Sequence, residues 1–246
     1  MTERPILFSA EMVRAILKGD KTQTRRKAPI RELKILQHPG DMLTWSVSFM
    51  KAIKGTLTSH SGGKFSDLQA RSIIASQFNP YGKPGDTLWV RETWGAVSPT
   101  DEPVPLALGQ CEIEYRADLP PGCTHGPGEW PADARNDPEA PKWRPSIQMP
   151  RWASRITLRI TGVRVERLQD IEGQHPSESD AIAEGVRAIH HGDGDYYYSA
   201  FRDVPHPKNW SDPADAFREV WNSINGAGAW EANPWVWVLS FERVKP

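Results

Sequence analysis

The segment Arg155 to Leu168 restricts the fold more than any other. Ile156, Leu158 and Ile160 alternate with Thr157, Arg159 and Thr161, the period-two signature of a strand with one apolar and one polar face. After Gly162 the alternation resumes at Val163 and Val165, so a bulge or turn is expected there, dividing the segment into two pieces.

Other stretches carry weaker versions of the same signal. Pro5 to Phe8 is a short apolar run and a first strand. Thr87 to Trp94 follows the turn-rich Asn79 to Asp86 and places Leu88, Val90 and Glu92 on one face, with Trp89, Arg91 and Thr93 on the other. Leu43 to Phe49 suits a strand, Trp235 to Val244 is a final one, and Cys111 to Arg116 is a short regular piece. Helical spacing marks three segments. Ala10 to Lys18 has Ser9 as cap, Met12, Ala15 and Ile16 as apolar face, and Gly19 as stop. Asp67 to Phe78 is a second helix. Ser211-Asp212-Pro213 opens a third, in which Phe217, Val220, Trp221 and Ile224 recur until Gly226. Ser177 to Asp180 reads as a capping box for a short helix ending at Gly185. Short strands with helices between them predict an α+β domain round a small antiparallel or mixed barrel. Three insertions interrupt it, at about 34–78, 99–145 and 187–209. The second is Pro/Gly-rich and acidic, and the third is a polar, aromatic-containing loop. Ser59 to Lys64 is a Ser/Gly loop.

The chain has 246 residues, 38% hydrophobic and 25% charged, with a formal net charge of −1. Such a balance excludes a general polyanion binder, so the distribution of charge matters more. Glu11 to Lys34 holds eight Lys/Arg against three acids, a local +5, whereas Ser98 to Ala140 is locally −7. A basic site with an acidic rim is therefore expected. The two cysteines, Cys111 and Cys123, form neither a disulfide framework nor, with His125, a zinc set. The pair His190-His191 reads as a solvated loop. No metal or cofactor is implied. The absence of a leader or a long apolar run suggests a cytoplasmic protein without membrane contact.

The centre of the basic segment is Gly19-Asp20-Lys21-Thr22-Gln23-Thr24-Arg25-Arg26-Lys27. It mixes hydroxyls and cations in a way that suits an anionic ligand better than a core. A lysine close to a threonine is also a nucleophile–base pair in outline, because a hydroxyl needs a neighbouring base. The ordinary alternatives are a solvated basic turn, a strand threonine at Thr24 and surface ion pairs at Arg25 and Arg26.

Four pieces together resemble the ASCH family of the PUA-like superfamily. They are Ile16 to Arg26, Gly85 to Glu92, Ile160 to Leu168 with Asp180 to Gly185, and Trp235 to Val244. The K-T-x-T-x-R turn followed by a G-D-x-L turn carries the match, over about half of the chain. The resemblance implies a single domain over 1–246, a PUA-like small β-barrel with flanking helices and long loop insertions, in an extended form similar to phage or prophage proteins. It implies a cleft for RNA or a modified nucleobase. In some small members it implies an amidohydrolase that removes the acetyl group of N4-acetylcytidine with a Lys, a Thr three residues on, and a distant Glu. Those positions match Lys21, Thr24 and Glu184, with Glu92 competing for the last.

On this reading Thr24 is the nucleophile and Lys21 its base, which requires a lysine pKa lowered toward neutrality by burial and by Arg25 and Arg26. Glu184 orients the lysine or moves a proton to the leaving amine. Thr22, Arg25, Arg26, Trp89 and Glu92 are candidate substrate contacts. Trp89 or Trp94 can stack a base, although most of the 11 tryptophans must be core. The alternative function is a non-catalytic RNA or modified-base binding module, or a ribonuclease, in the same basic cleft. The partner is a nucleoside, RNA or modified nucleobase; the sequence sets no oligomeric state.

Overall fold

A computed structural model describes residues 1–37, 43–49, 54–58, 67–97, 112–120, 142–171, 179–192 and 194–244. Cys111, Cys123, His125 and most of the acidic stretch lie outside them, as does the loop read at Ser59 to Lys64. The elements in chain order are β1 (Glu3–Leu7), α1 (Ala10–Lys18), β2 (Gln23–Lys27), β3 (Ile30–Gln37), β4 (Leu43–Phe49), β5 (Lys54–Thr58) and α2 (Asp67–Phe78). They continue with β6 (Thr87–Arg91), β7 (Trp94–Val97), β8 (Glu112–Tyr115), β9 (Thr157–Arg167), α3 (Asp180–Ala183), β10 (Arg187–His190), β11 (Tyr196–Ser199), α4 (Pro213–Asn225) and β12 (Trp235–Val244). The architecture is α+β, mostly sheet with few helices. The main sheet has the order β1-β6-β9-β12-β2, and no closed barrel is seen among the described residues. No described helix is long and apolar enough to cross a membrane.

The chain divides into two compact units. The first comprises Met1–Lys21, Gly85–Arg159 and Glu242–Pro246. Here β1 runs parallel to β6, and β6 pairs antiparallel with the start of β9, Leu88 opposite Leu158. Asp86, buried after Gly85, accepts from the Thr2 amide at 2.8 Å, so the G-D turn fastens the start of β6 to the N-terminus. Ser9 caps α1 by accepting from the Met12 amide, and Gly19 at φ 90° ends it. The buried face of α1 is Val13, Ala15 and Ile16, with Met12 only half-buried. A second cluster joins Trp94, Ala96, Met149 and Ala153, under Ile113 and Tyr115 of β8.

The second unit comprises Thr22–Pro84 and Ile160–Phe241. β2 pairs antiparallel with β12, Arg25 opposite Val238 and Thr24 opposite Leu239. Its core joins Ala28, Ile30, Ile74, Ala75, Val165, Trp235 and Trp237, with Phe78, Tyr81 and Val163 against it. Trp235 to Leu239 are buried without a break, as in a strand covered on both faces.

Three expectations change. Gly162 does not divide the strand: β9 continues through it to Arg167, and the buried positions shift from Leu158 and Ile160 to Val165. In the segment 34–78 the strand expected at Leu43 to Phe49 and the helix expected at Asp67 to Phe78 are joined by two further strands, so that β3, β4 and β5 form an antiparallel sheet in that order ahead of α2. The third insertion contains the hairpin β10–β11. There His190, read as part of a loop, is the exposed last residue of β10, whereas His191 lies in the connection just past the strand with its ring 4.2 Å from that of Tyr197. In α4, Ile224 departs from the apolar face and is 55% exposed.

Gly19 tests the helix-to-turn geometry that delivers Lys21. A Cβ there meets nothing within 4 Å, so a loss in Gly19→Ala arises from φ alone. We expect a loss of about 1 kcal/mol in urea unfolding, and less for Gly19→Asn. Equal stability of all three chains would rule out a strained left-handed cap.

Candidate functional site

The second unit centres on Arg25, whose side chain is fully enclosed. Strand alternation places Gln23 and Arg25 on the Ser240/Val238 side of the sheet, and Thr24 and Arg26 on the Leu239/Trp237 side. In β9, Val163 and Val165 join the tryptophan core, which turns Arg164 and Glu166 to the opposite face. Arg25 reaches across β12 to Glu166, with Nη2 donating at 2.5 Å. The same nitrogen donates to Asp180 Oδ2 at 2.8 Å, and Nη1 donates to Glu184 Oε1 at 3.2 Å. Arg164 supports the group from the side: it bonds Glu166 at 2.8 Å, Gln23 Oε1 at 3.1 Å, and Asp180.

Asp180 and Glu184 reach Arg25 because they flank a one-turn helix. Ser179 caps α3 by accepting from the Ala181 amide, and its hydroxyl donates to the Ile171 carbonyl at 2.9 Å. This corrects the expected capping box, since the cap is Ser179 rather than Ser177, which lies outside the described residues. Gly185, at φ 97°, closes the turn. The Thr22 amide donates to the Ala183 carbonyl at 2.9 Å, tying the approach to β2 to the end of α3.

The electrostatics follow from burial and pairing. Desolvation acts most strongly on Arg25 and opposes its charge, but Glu184, Glu166 and Asp180 together hold the guanidinium above its ordinary pKa. Burial raises the Asp180 carboxyl, yet Arg25 and Arg164 outweigh it and hold Asp180 below the usual carboxylate range. Burial lowers Arg26 against the pull of Tyr81 and Glu184. The expected open basic surface is thus not what Arg25 presents: its charge is spent on carboxylates of its own chain.

The candidate residues are distributed as follows. Thr24 is 1% and Glu184 7% exposed in the second unit, whereas Thr22 has an exposed side chain and contributes backbone bonds. The structure brings together Arg25 and Glu184. In the first unit, Lys21 is 2% exposed, and its amide donates to the Ala15 carbonyl behind α1. Glu92 is also buried in that unit, but both its oxygens accept from Arg155, at 3.0 and 3.1 Å. Arg155 in turn forks onto Asp118 and lies 3.8 Å from the centre of the Tyr115 ring. Burial pushes the Glu92 carboxyl up, and Arg155 offsets only part of that. Trp89 is half-buried between Arg91 and Arg151, at 5.4 and 5.9 Å from its ring. Trp94 is a core side chain, 1% exposed.

Sequence reasoning missed Glu166, Arg164 and Arg155, and took Asp180 only as part of a cap. The available signals were the i, i+4 spacing of Asp180 and Glu184 and the shared parity of Arg164 and Glu166. Among the described residues, no group of three or more His, Cys, Asp or Glu side chains is arranged to hold a metal ion. No family model, curated protein or solved structure matches the chain.

The lowered Asp180 pKa has a definite sign. The native state binds fewer protons than the unfolded state in the acid range, so this contribution is present above the unfolded value and lost as pH falls through the folded one. Asp180 is one-third exposed, which limits the cost of Asp180→Asn to on the order of 1 kcal/mol near neutrality. The difference between wild type and variant in urea unfolding narrows from about pH 7 to about pH 3. A constant difference would contradict the assignment.

Proposed function

We propose that this chain is an amidohydrolase that removes the acyl group from an N4-acylated cytosine nucleoside or a related modified base. The reading combines the sequence resemblance to the ASCH family with one observation. The polar side chains of Lys21, Thr24 and Glu184 are each less than a tenth exposed. Burying polar groups is costly, so a fold keeps them where they are bonded, as Glu184 is to Arg25, or where they serve a site.

In the reaction that the family resemblance implies, the Thr24 hydroxyl attacks the acyl carbonyl carbon and neutral Lys21 takes its proton. Collapse of the tetrahedral intermediate breaks the bond to N4, and the proton that Lys21 took from Thr24 passes, with the ionised Glu184 as relay, to that nitrogen as it leaves. Water then cleaves the acyl-threonine ester, giving a carboxylic acid and the free nucleoside. Arg25, satisfied by carboxylates, favours a neutral nucleoside over a phosphate-bearing chain, which weighs against the RNA reader.

Release of cytidine from N4-acetylcytidine by the purified protein tests this directly. Thr24→Ser retains part of the activity, while Thr24→Val and Lys21→Ala lose at least about a hundredfold in kcat/KM. Undiminished turnover in Thr24→Val would remove the nucleophile. A folded wild type that binds RNA or a base without hydrolysing any acylated cytosine would establish the reader instead.

A further inference from the structure

We infer that Arg25 is a positioning residue for the proposed hydrolysis: it acts through Glu184 and binds no substrate anion. This rests on the reading above for its function, but on separate observations for its geometry.

The first observation is the span of the guanidinium. Nη2 bonds Asp180 at the start of α3 and Nη1 bonds Glu184 at its end. Residues four apart share a helix face, so a single planar fork holds both ends of the turn. The second is the length of α3, only four residues. Helix nucleation is unfavourable, and one turn has no stability of its own, so its place depends on what it is fastened to. The third is where Glu184 lies. It is the C-cap of α3, with its side chain 1% exposed. The exposed carbonyls at a helix C-terminus disfavour a carboxylate, and burial adds to the cost. A buried cation offsets both, and Arg25 supplies it. Glu166 and Arg164, from β9, fix the guanidinium in turn.

The enclosure of Arg25 excludes direct contact with a ligand phosphate, since its side chain is 0% exposed and carries three carboxylates. Lysine is no equivalent here, because a point charge does not bridge two ends of a turn as a planar fork does.

The test uses the full chain with Arg25→Gln and Arg25→Lys, read by amide hydrogen exchange and by steady-state deacetylation. In Arg25→Gln we expect the Glu184, Gly185 and Val186 amides, which bond within the α3 turn, to exchange at least about tenfold faster, with the Val90–Ile156 bond of the other unit unaffected. We expect kcat to fall at least about tenfold with KM held within about twofold, and Lys to restore part of kcat. Should the Gln variant fail to fold, Arg25→Lys shows the same pattern at smaller amplitude. Unchanged exchange at 184–186 would overturn the assignment, as would a rise in KM with kcat retained, the mark of a direct substrate contact. If the wild type proves inactive on N4-acetylcytidine, the function reading falls while the exchange result alone decides whether Arg25 holds α3.

Discussion

The ion cluster at Arg25 is the constraint on which the candidate site of the second unit depends. One enclosed guanidinium takes hydrogen bonds to Glu166 on β9 and to Asp180 and Glu184 at the two ends of α3. A charge taken out of water is tolerable only when its partners are close and its donors are used, and here three carboxylates meet that demand. The converse holds for Glu184, whose side chain is 1% exposed and whose burial Arg25 offsets. A short helix and an edge strand are thereby held together by charge-assisted bonds where apolar area alone would be insufficient.

This arrangement alters the meaning of the basic segment. Counting charges along residues 11–34 gives a cationic patch, but a patch is a property of exposed charge. Arg25 is neutralised internally, and burial works against the charge of Arg26. Of the three cations on β2, Arg25 is buried, Arg26 half-buried and Lys27 exposed, so the strand shows less cationic charge than the count along the sequence suggests.

Much of the framework was legible in the sequence where signals were local. Caps and periodicity gave α1, with Ser9 and Gly19 at its ends, and α4 from Asp212 to Gly226. Alternation gave β6 and the start of β9, while β4 and β12 were read as strands without it. The misses share a different cause. β3 and β5 are strands because they pair with β4, not because of a pattern of their own. β10 and β11 pair across a turn in a segment whose tyrosines and histidines carry no clean apolar alternation. The pairing of Arg25 with Glu166 follows from the order β9-β12-β2, which sets residues 141 positions apart on strands separated only by β12 and cannot be read from spacing. The same non-local pairing gives the described residues an open sheet in which no closed barrel is seen. Lys21, Thr24 and Glu184 were legible only as a motif; their burial required the structure.

A double-mutant cycle on Arg25 and Glu184, with Arg25→Gln, Glu184→Gln and the combined variant compared by urea unfolding, tests the central claim most directly. If the enclosed pair holds α3 in place, Arg25→Gln takes from Glu184 the cation that offsets its burial, Glu184→Gln removes one of the three carboxylates on Arg25, and the combined loss falls short of the sum by on the order of 1–3 kcal/mol. Losses that add to within about 0.5 kcal/mol would show the two residues to be energetically independent and would contradict the account.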